Sequence, residues 1–230
     1  MWPRLAFLVA VAACRGGDKE VTTSTPPPPT HVMSGPLELD AMFGPYDSRS
    51  GYCRAKAQCC CEGSVSALAA VPSPTGPWKS VDLLRAAEPA GRSGPWHLVI
   101  QTDAGWFGEF FGYVKDEGDV ATARASIEIQ DWLGLGRPQV ILHLAYDISS
   151  VEDGATVHRA REGLTVIGLG PSNIPYYATM MPVHVDTRDG GPPAGWTAKV
   201  DSDHKGALRI EAVMGEPRRM PTGTVPVAFP

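Results

Sequence analysis

"PQVILHLAYDI", residues 138–148, alternates without a break: Val140, Leu142, Leu144, Tyr146 and Ile148 fall on one side of an extended chain. Side chains of a strand point alternately to opposite faces, so residues two apart line one face. A helix of period 3.6 would scatter these five around its circumference. The run therefore predicts a strand with one face against a core.

The same period recurs on both sides. "ARASIEIQD" (123–131) sets Ile127 and Ile129 against Ser126, Glu128 and Gln130. "WHLVIQT" (96–102), the turn "DAG" and "WFGEFFGYV" (106–114) predict a hairpin. "LTVIGLG" (164–170) and "MMPVHVD" (180–186) continue the series, and "GWTAKV" (195–200), "DSDHKG" and "ALRIEAV" (207–213) predict a second hairpin. Period 2 with little helical periodicity from residue 95 onward implies antiparallel pairing rather than alternating strand and helix units. The expected fold is mostly β, an antiparallel sheet or sandwich, with a small N-terminal helix and loop segment.

That segment spans 37–94. "PLELDAMF" reads as a short helix or strand, and "VPSPTGP" (71–77) as a loop because prolines and glycine interrupt any regular element. "SVDLLRAAEP" (80–89) reads as a two-turn helix: Ser80 can cap it, Asp82 suits its first turn and Pro89 stops it. With 43% hydrophobic residues, 37–94 and 95–230 are expected to form one domain around one core.

The N-terminus carries a different message. "MWPRLAFLVAVAAC" has one basic residue, Arg4, an apolar run from Leu5 to Ala13 and small residues before Cys14, the layout of a secretory signal. The apolar run is too short to span a bilayer, which takes roughly 20 residues. "AVA" at 10–12 also fits an ordinary signal-peptidase site, and a chance apolar start is the third reading. "VAAC" (11–14) resembles the lipobox of bacterial lipoproteins. The resemblance implies that residues 1–13 are removed, that Cys14 carries a diacylglyceryl thioether and that its amino group is acylated, enough chains for stable anchoring. Arg15, where a retention signal would place Asp, implies by the same resemblance the outer membrane.

Residues 14–36 then form a tether rich in threonine and proline, extended around Pro26–Pro29 at about 3.1 Å per residue. Without residues 1–13 the chain carries 19 basic and 25 acidic residues, a net of −6. No basic footprint of a nucleic-acid binder is present. The expected partners are the membrane, through the anchor, and an envelope protein or glycan.

If Cys14 is lipidated, Cys53, Cys59, Cys60 and Cys61 remain, an even set that outside the cytoplasm points to disulfides. Each of the three pairings joins near neighbours. Adjacent residues have Cα atoms about 3.8 Å apart, below the roughly 4.4–6.8 Å of ordinary disulfides. Cys53–Cys60 with Cys59–Cys61 strains least, yet a continuous helix would hold residues 53 and 60 about 10 Å apart. "RAKAQ" is therefore either not helical throughout or not bridged across its length. An intermolecular disulfide is a further reading. A thiolate metal or redox site on Cys53, Cys59, Cys60 and Cys61 is another, although thiolate sites normally use separated ligand pairs.

The aromatic run of 106–114 has two faces. Trp106, Gly108, Phe110, Gly112 and Val114 suit close packing of another layer, because glycines alternate with the rings. Phe107, Glu109, Phe111 and Tyr113 form the opposite face, a core face or, if exposed, an aromatic binding platform for glycan or peptide with Glu109 as its polar partner.

"DWLGLGRPQVIL" (131–142) is similar to the calcium-binding repeat of integrin-type propellers: Asp131, Gly134, Gly136, Pro138 and the aliphatic strand match. Leu133 and Leu135 stand where that repeat places oxygen ligands, and Ca²⁺ takes six to eight oxygens, so calcium is not carried over. One copy makes no propeller, and a strand–loop–strand turn is expected. "DSDHKG" has Lys205 at a would-be ligand position and reads as a hairpin turn.

No nucleophile elbow, metalloprotease helix, phosphate loop or dinucleotide fingerprint occurs. The histidines, at 31, 97, 143, 158, 184 and 204, are scattered, with His143 and His184 expected on a solvated strand face. No catalytic residue and no cofactor is assigned. The expected role is structural or binding and non-enzymatic, at the bacterial envelope. A thiol-based metal or redox protein and a secreted hydrolase are the alternatives.

Overall fold

The computed structural model describes residues 37–56, 66–71, 74, 76–87, 93–111, 119–214 and 222–230. The signal segment, Cys14, the tether, Cys59, Cys60, Cys61 and Tyr113 lie outside the described residues.

The fold is mostly β with antiparallel pairing and one short helix, as the alternation implies. A short β1 (Asp40–Ala41) and β2 (Phe43–Tyr46) precede α1 (Arg49–Ala55). Then come β3 (Ser66–Ala70), β4 (Ser80–Ala87), β5 (Ser93–Thr102) and β6 (Gly105–Phe111). The long strands follow: β7 (Asp119–Gln130), β8 (Gln139–Glu152), β9 (Ala155–Leu169) and β10 (Pro175–Arg188). The chain ends with β11 (Ala194–Ser202), β12 (Ala207–Met214) and β13 (Gly223–Pro226).

Two sheets result. The large one is a meander from β7 to β13, each strand paired to the next, with β1 added beside β10. The small one has the order β2-β6-β5-β4-β3. Their facing sides make the main core. Val81, Leu83, Trp96, Leu98, Ile100 and Phe107 of the small sheet meet Val140, Leu142, Leu144, Tyr146 and Ile148, the alternating set of β8. Ile127 and Ile129 pack against this cluster, partly buried, while Ser126, Glu128 and Gln130 face solvent.

A second core fills the opposite side of the large sheet, where Ile141, Leu164, Val166 and Met180 meet Leu208, Ile210, Val225 and Val227. The sheet therefore curls until its last strands cover the back of its middle ones. Leu37 joins this layer: its N–H donates to the Pro226 carbonyl at 2.8 Å. A third cluster lies outside the small sheet, where Tyr52 and Cys53 of α1 cover Leu84 and Val99. Ser48 caps α1 by accepting from the Gly51 N–H at 3.0 Å, and the helix ends at Lys56. Of "RAKAQ", Arg54 and Ala55 are helical and Lys56 caps the helix, while Ala57 and Gln58 lie outside the described residues.

The helix expected over 80–89 is instead strand β4, paired in register with β5 through Val81↔Ile100 and Leu83↔Leu98. Its capping residues serve another purpose: the Ser80 hydroxyl donates to the Asp82 carboxylate two residues on, at 2.8 Å. Such short polar side chains bond locally in either conformation, so the cap signal was ambiguous. Burial of Val81 and Leu83 decided the strand. The segment 37–94 accordingly contributes much of the small sheet as well as the helix.

The β7–β8 connection is the expected turn. Asp131 accepts from the N–H groups of Leu135 and Gly136, both at 2.8 Å. Leu133 is fully buried in the second core. "DSDHKG" is the expected hairpin turn, with Asp203 accepting from Lys205 and Ala207. The two turns touch: the Gly206 N–H donates to the Leu133 carbonyl at 2.8 Å.

Candidate functional site

Strand β6 organises the site. Its pairing with β5 sets Ile100 opposite Phe107, Leu98 opposite Glu109 and His97 opposite Phe110. Because side chains alternate, Phe107, Glu109 and Phe111 turn toward the large sheet and are buried, at 0%, 7% and 8% exposure. Phe107 and Phe111 therefore form no open platform, because the large sheet covers them, while Glu109 between them still borders a concavity on the helix side.

The other face carries the added layer that its glycine implied. A Cβ at Gly108 would clash with Cζ and both Cε atoms of Tyr52. Glycine therefore lets α1 sit directly on the strand. From that position the Tyr52 hydroxyl reaches Nδ1 of His97 at 3.0 Å. His97 is 3% exposed, and its Nε2 has no hydrogen-bond partner. Its ring also lies 5.5 Å, centroid to centroid, from that of Phe110. Burial pushes the His97 pKa below the ordinary histidine value, because charging a desolvated imidazole is costly.

Two concavities flank the end of β6. The first, about 430 Å³, is bounded by Phe43, Tyr52, Lys56, His97, Glu109 and Phe110. The second, about 270 Å³, lies between β6 and the large sheet; Phe110, Phe111, Leu144, Tyr146, Tyr177 and Met181 bound it. Gly163, Thr165 and Thr179 complete its floor, with the two threonine hydroxyls 2.9 Å apart. Met181, 39% exposed, sits where the β9–β10 register shifts between Met180 and Val183. Bulges of this kind re-aim side chains.

Phe110 belongs to both concavities, and the Glu109–Tyr177 hydrogen bond links their walls. Burial pushes the Glu109 carboxyl above the usual carboxylate range, against the Phe110 N–H, the Lys56 charge and the Tyr177 hydroxyl, which pull it down. Tyr177 is pushed up to about 12, first by burial and then by the charge of Glu109.

The remaining sequence candidates lie apart. Cys53 is a buried free thiol, so the Cys53–Cys60 bridge is not formed. Among the described residues no three His, Cys, Asp or Glu side chains gather where one metal ion could be held. His184 is not simply solvated: its ring stacks on Trp196 at 4.3 Å. His97 is the residue that sequence reading passed over, although one histidine inside the apolar run "WHLVI" was a signal of an internal partner.

Comparison of the chain with family models, with curated proteins and with solved structures finds no match.

The site can hold a small molecule. Small-molecule sites are concave and largely apolar with a few placed polar groups, and the 270 Å³ cleft is lined by aromatic and aliphatic residues with Thr165, Thr179 and Tyr146 among them.

Proposed function

We propose that the chain is a lipid-anchored protein of the bacterial envelope whose β domain binds a small, largely apolar molecule in the cleft between its sheets, without chemistry. The observation that carries the binding role is the cleft itself. Among the described residues, Leu144, Tyr146, Tyr177 and Met181 of the large sheet stand with Phe110 and Phe111 of β6 around an open space of about 270 Å³. The lipobox "VAAC" and the following Thr/Pro-rich segment support the anchored location.

Gly163 offers a clean test. A Cβ there meets only the Leu144 carbonyl, at an ordinary 3.8 Å. Gly163→Leu should fill the cleft and abolish uptake of an environment-sensitive apolar dye, leaving the thermal midpoint near that of the wild type. Undiminished dye binding in that variant refutes the cleft as the site. For the anchor, Cys14→Ser should move the protein from the membrane fraction to the soluble one and end its labelling by radioactive palmitate.

A further inference from the structure

Among the described residues only two Phe, Tyr or Trp side chains are exposed, Phe43 at 48% and Phe110 at 41%, and both line the 430 Å³ concavity. Their placement is built rather than incidental. Phe43 is paired opposite Gly108 on one side of β6, and Phe110 rests against His97 on the other. Exposed rings grouped at one cavity mark recognition more often than packing.

The polar groups around them restrict the ligand's charge. The cavity wall carries one ammonium, Lys56, and one carboxyl, Glu109, close enough for the Lys56 charge to favour ionisation of Glu109. Lys56 Nζ stands 2.9 Å from the centroid of the Phe43 ring. An anion entering the cavity meets Glu109, and a cation meets Lys56, which covers one face of the Phe43 ring and leaves the ring 48% exposed. A neutral molecule with both donors and acceptors meets neither penalty: its hydroxyls accept from Lys56 and donate to Glu109. Its apolar C–H faces cover the rings.

We propose that this cavity is a binding site for a neutral saccharide, stacked on Phe110 and hydrogen-bonded by Lys56 and Glu109. The site shares Phe110 with the inter-sheet cleft but does not depend on that cleft's binding apolar molecules.

The test uses cellotriose, maltotriose and chitotriose as neutral probes, with trigalacturonate and the glucosamine trimer as anionic and cationic controls, all followed by calorimetry on the purified full chain. At least one neutral trimer should bind, and both charged trimers should bind more weakly. Phe43→Ala and Phe110→Ala should each weaken binding about tenfold, the loss of one ring contact. Both rings are exposed, and unchanged melting curves would show that the fold survives. Gly163→Leu fills the neighbouring cleft, which shares Phe110 alone with this cavity, and should change saccharide affinity far less than Phe110→Ala does. Absence of binding by all three neutral trimers, tighter binding of a charged one, or full affinity in Phe43→Ala would each overturn the proposal.

Discussion

The ring of Tyr52 occupies the space that a side chain on Gly108 would need: a Cβ there would lie 2.6 Å from Cε1. The helix and the strand are fitted to each other at this one point. Through it Tyr52 reaches His97, and His97 in turn supports Phe110.

Gly108→Ala should therefore destabilise the domain by about 1–3 kcal/mol, the usual cost of overpacking. The same methyl introduced together with Tyr52→Ala should cost far less than the two changes taken separately. Denaturant titration of all four members of the cycle reads that coupling directly.

His97 predicts how stability responds to acid. Its folded pKa lies below the unfolded value of 6.5 because burial disfavours the charged ring. The unfolded chain therefore takes up a proton first as pH falls. The contribution is fully present above pH 6.5 and is lost progressively below it, toward the folded value. The slope cannot exceed about 1.4 kcal/mol per pH unit for this one proton. His97→Gln should flatten the wild-type curve in that window, and parallel curves would exclude a neutral buried ring.

Glu109 has the opposite sign. Its folded pKa is raised above 4.5 by burial, so its contribution is present below pH 4.5 and lost as pH rises through the folded value. Glu109→Gln removes that loss, while the amide oxygen still accepts from the Phe110 N–H, 3.0 Å away in the wild type. The variant should gain stability relative to wild type on going from pH 4 to pH 7. In the same variant Tyr177 should titrate lower than about 12, yet still above 10, because burial outweighs the carboxylate among the causes of its shift. Ultraviolet titration of the phenol distinguishes these outcomes.

The contact between the two turns gives a prediction remote from the site. Gly134 has φ +68°, and a Cβ on it would run into the backbone carbonyl of His204. Neither the backbone conformation nor the neighbour can yield cheaply. Gly134→Ala should cost about 1–3 kcal/mol and accelerate hydrogen exchange at the Gly206 amide, whose partner is the Leu133 carbonyl.

Strands β7, β8 and β12 were legible because alternation marks one continuously buried face over much of their length, whereas β9 buries both faces near its end and read as a short apolar run. Val140 to Ile148 is the clearest instance. Strand β4 was not legible: Ser80, Asp82 and Pro89 imitate the ends of a helix, and only the partner strand β5 reveals that Val81 and Leu83 share a face. The curl of the large sheet was also hidden, since the meeting of Ile141 with Leu208 and Val225 depends on accumulated twist rather than on local pattern. The sites were least legible of all. Phe43, Lys56, His97 and Phe110 come from β2, the end of α1, β5 and β6, and no spacing in the chain connects them. The two faces of β6 were read correctly as two faces, but which one would be covered by α1 and which by the large sheet was decided by tertiary packing.

The hydrogen bond from Leu37 to Pro226 has a mechanical consequence. Tension applied at the N-terminal end of the domain first loads this bond and the β1–β10 pair, Asp40↔Tyr177 and Ala41↔Tyr176. The force then passes into the long meander before it reaches the small sheet through Met42, whose N–H is held by the Pro175 carbonyl. Pulled by that end, the domain would transmit strain through its largest sheet, and Tyr177, shared by the loaded pair and the cleft, would be the first wall residue to feel the pull.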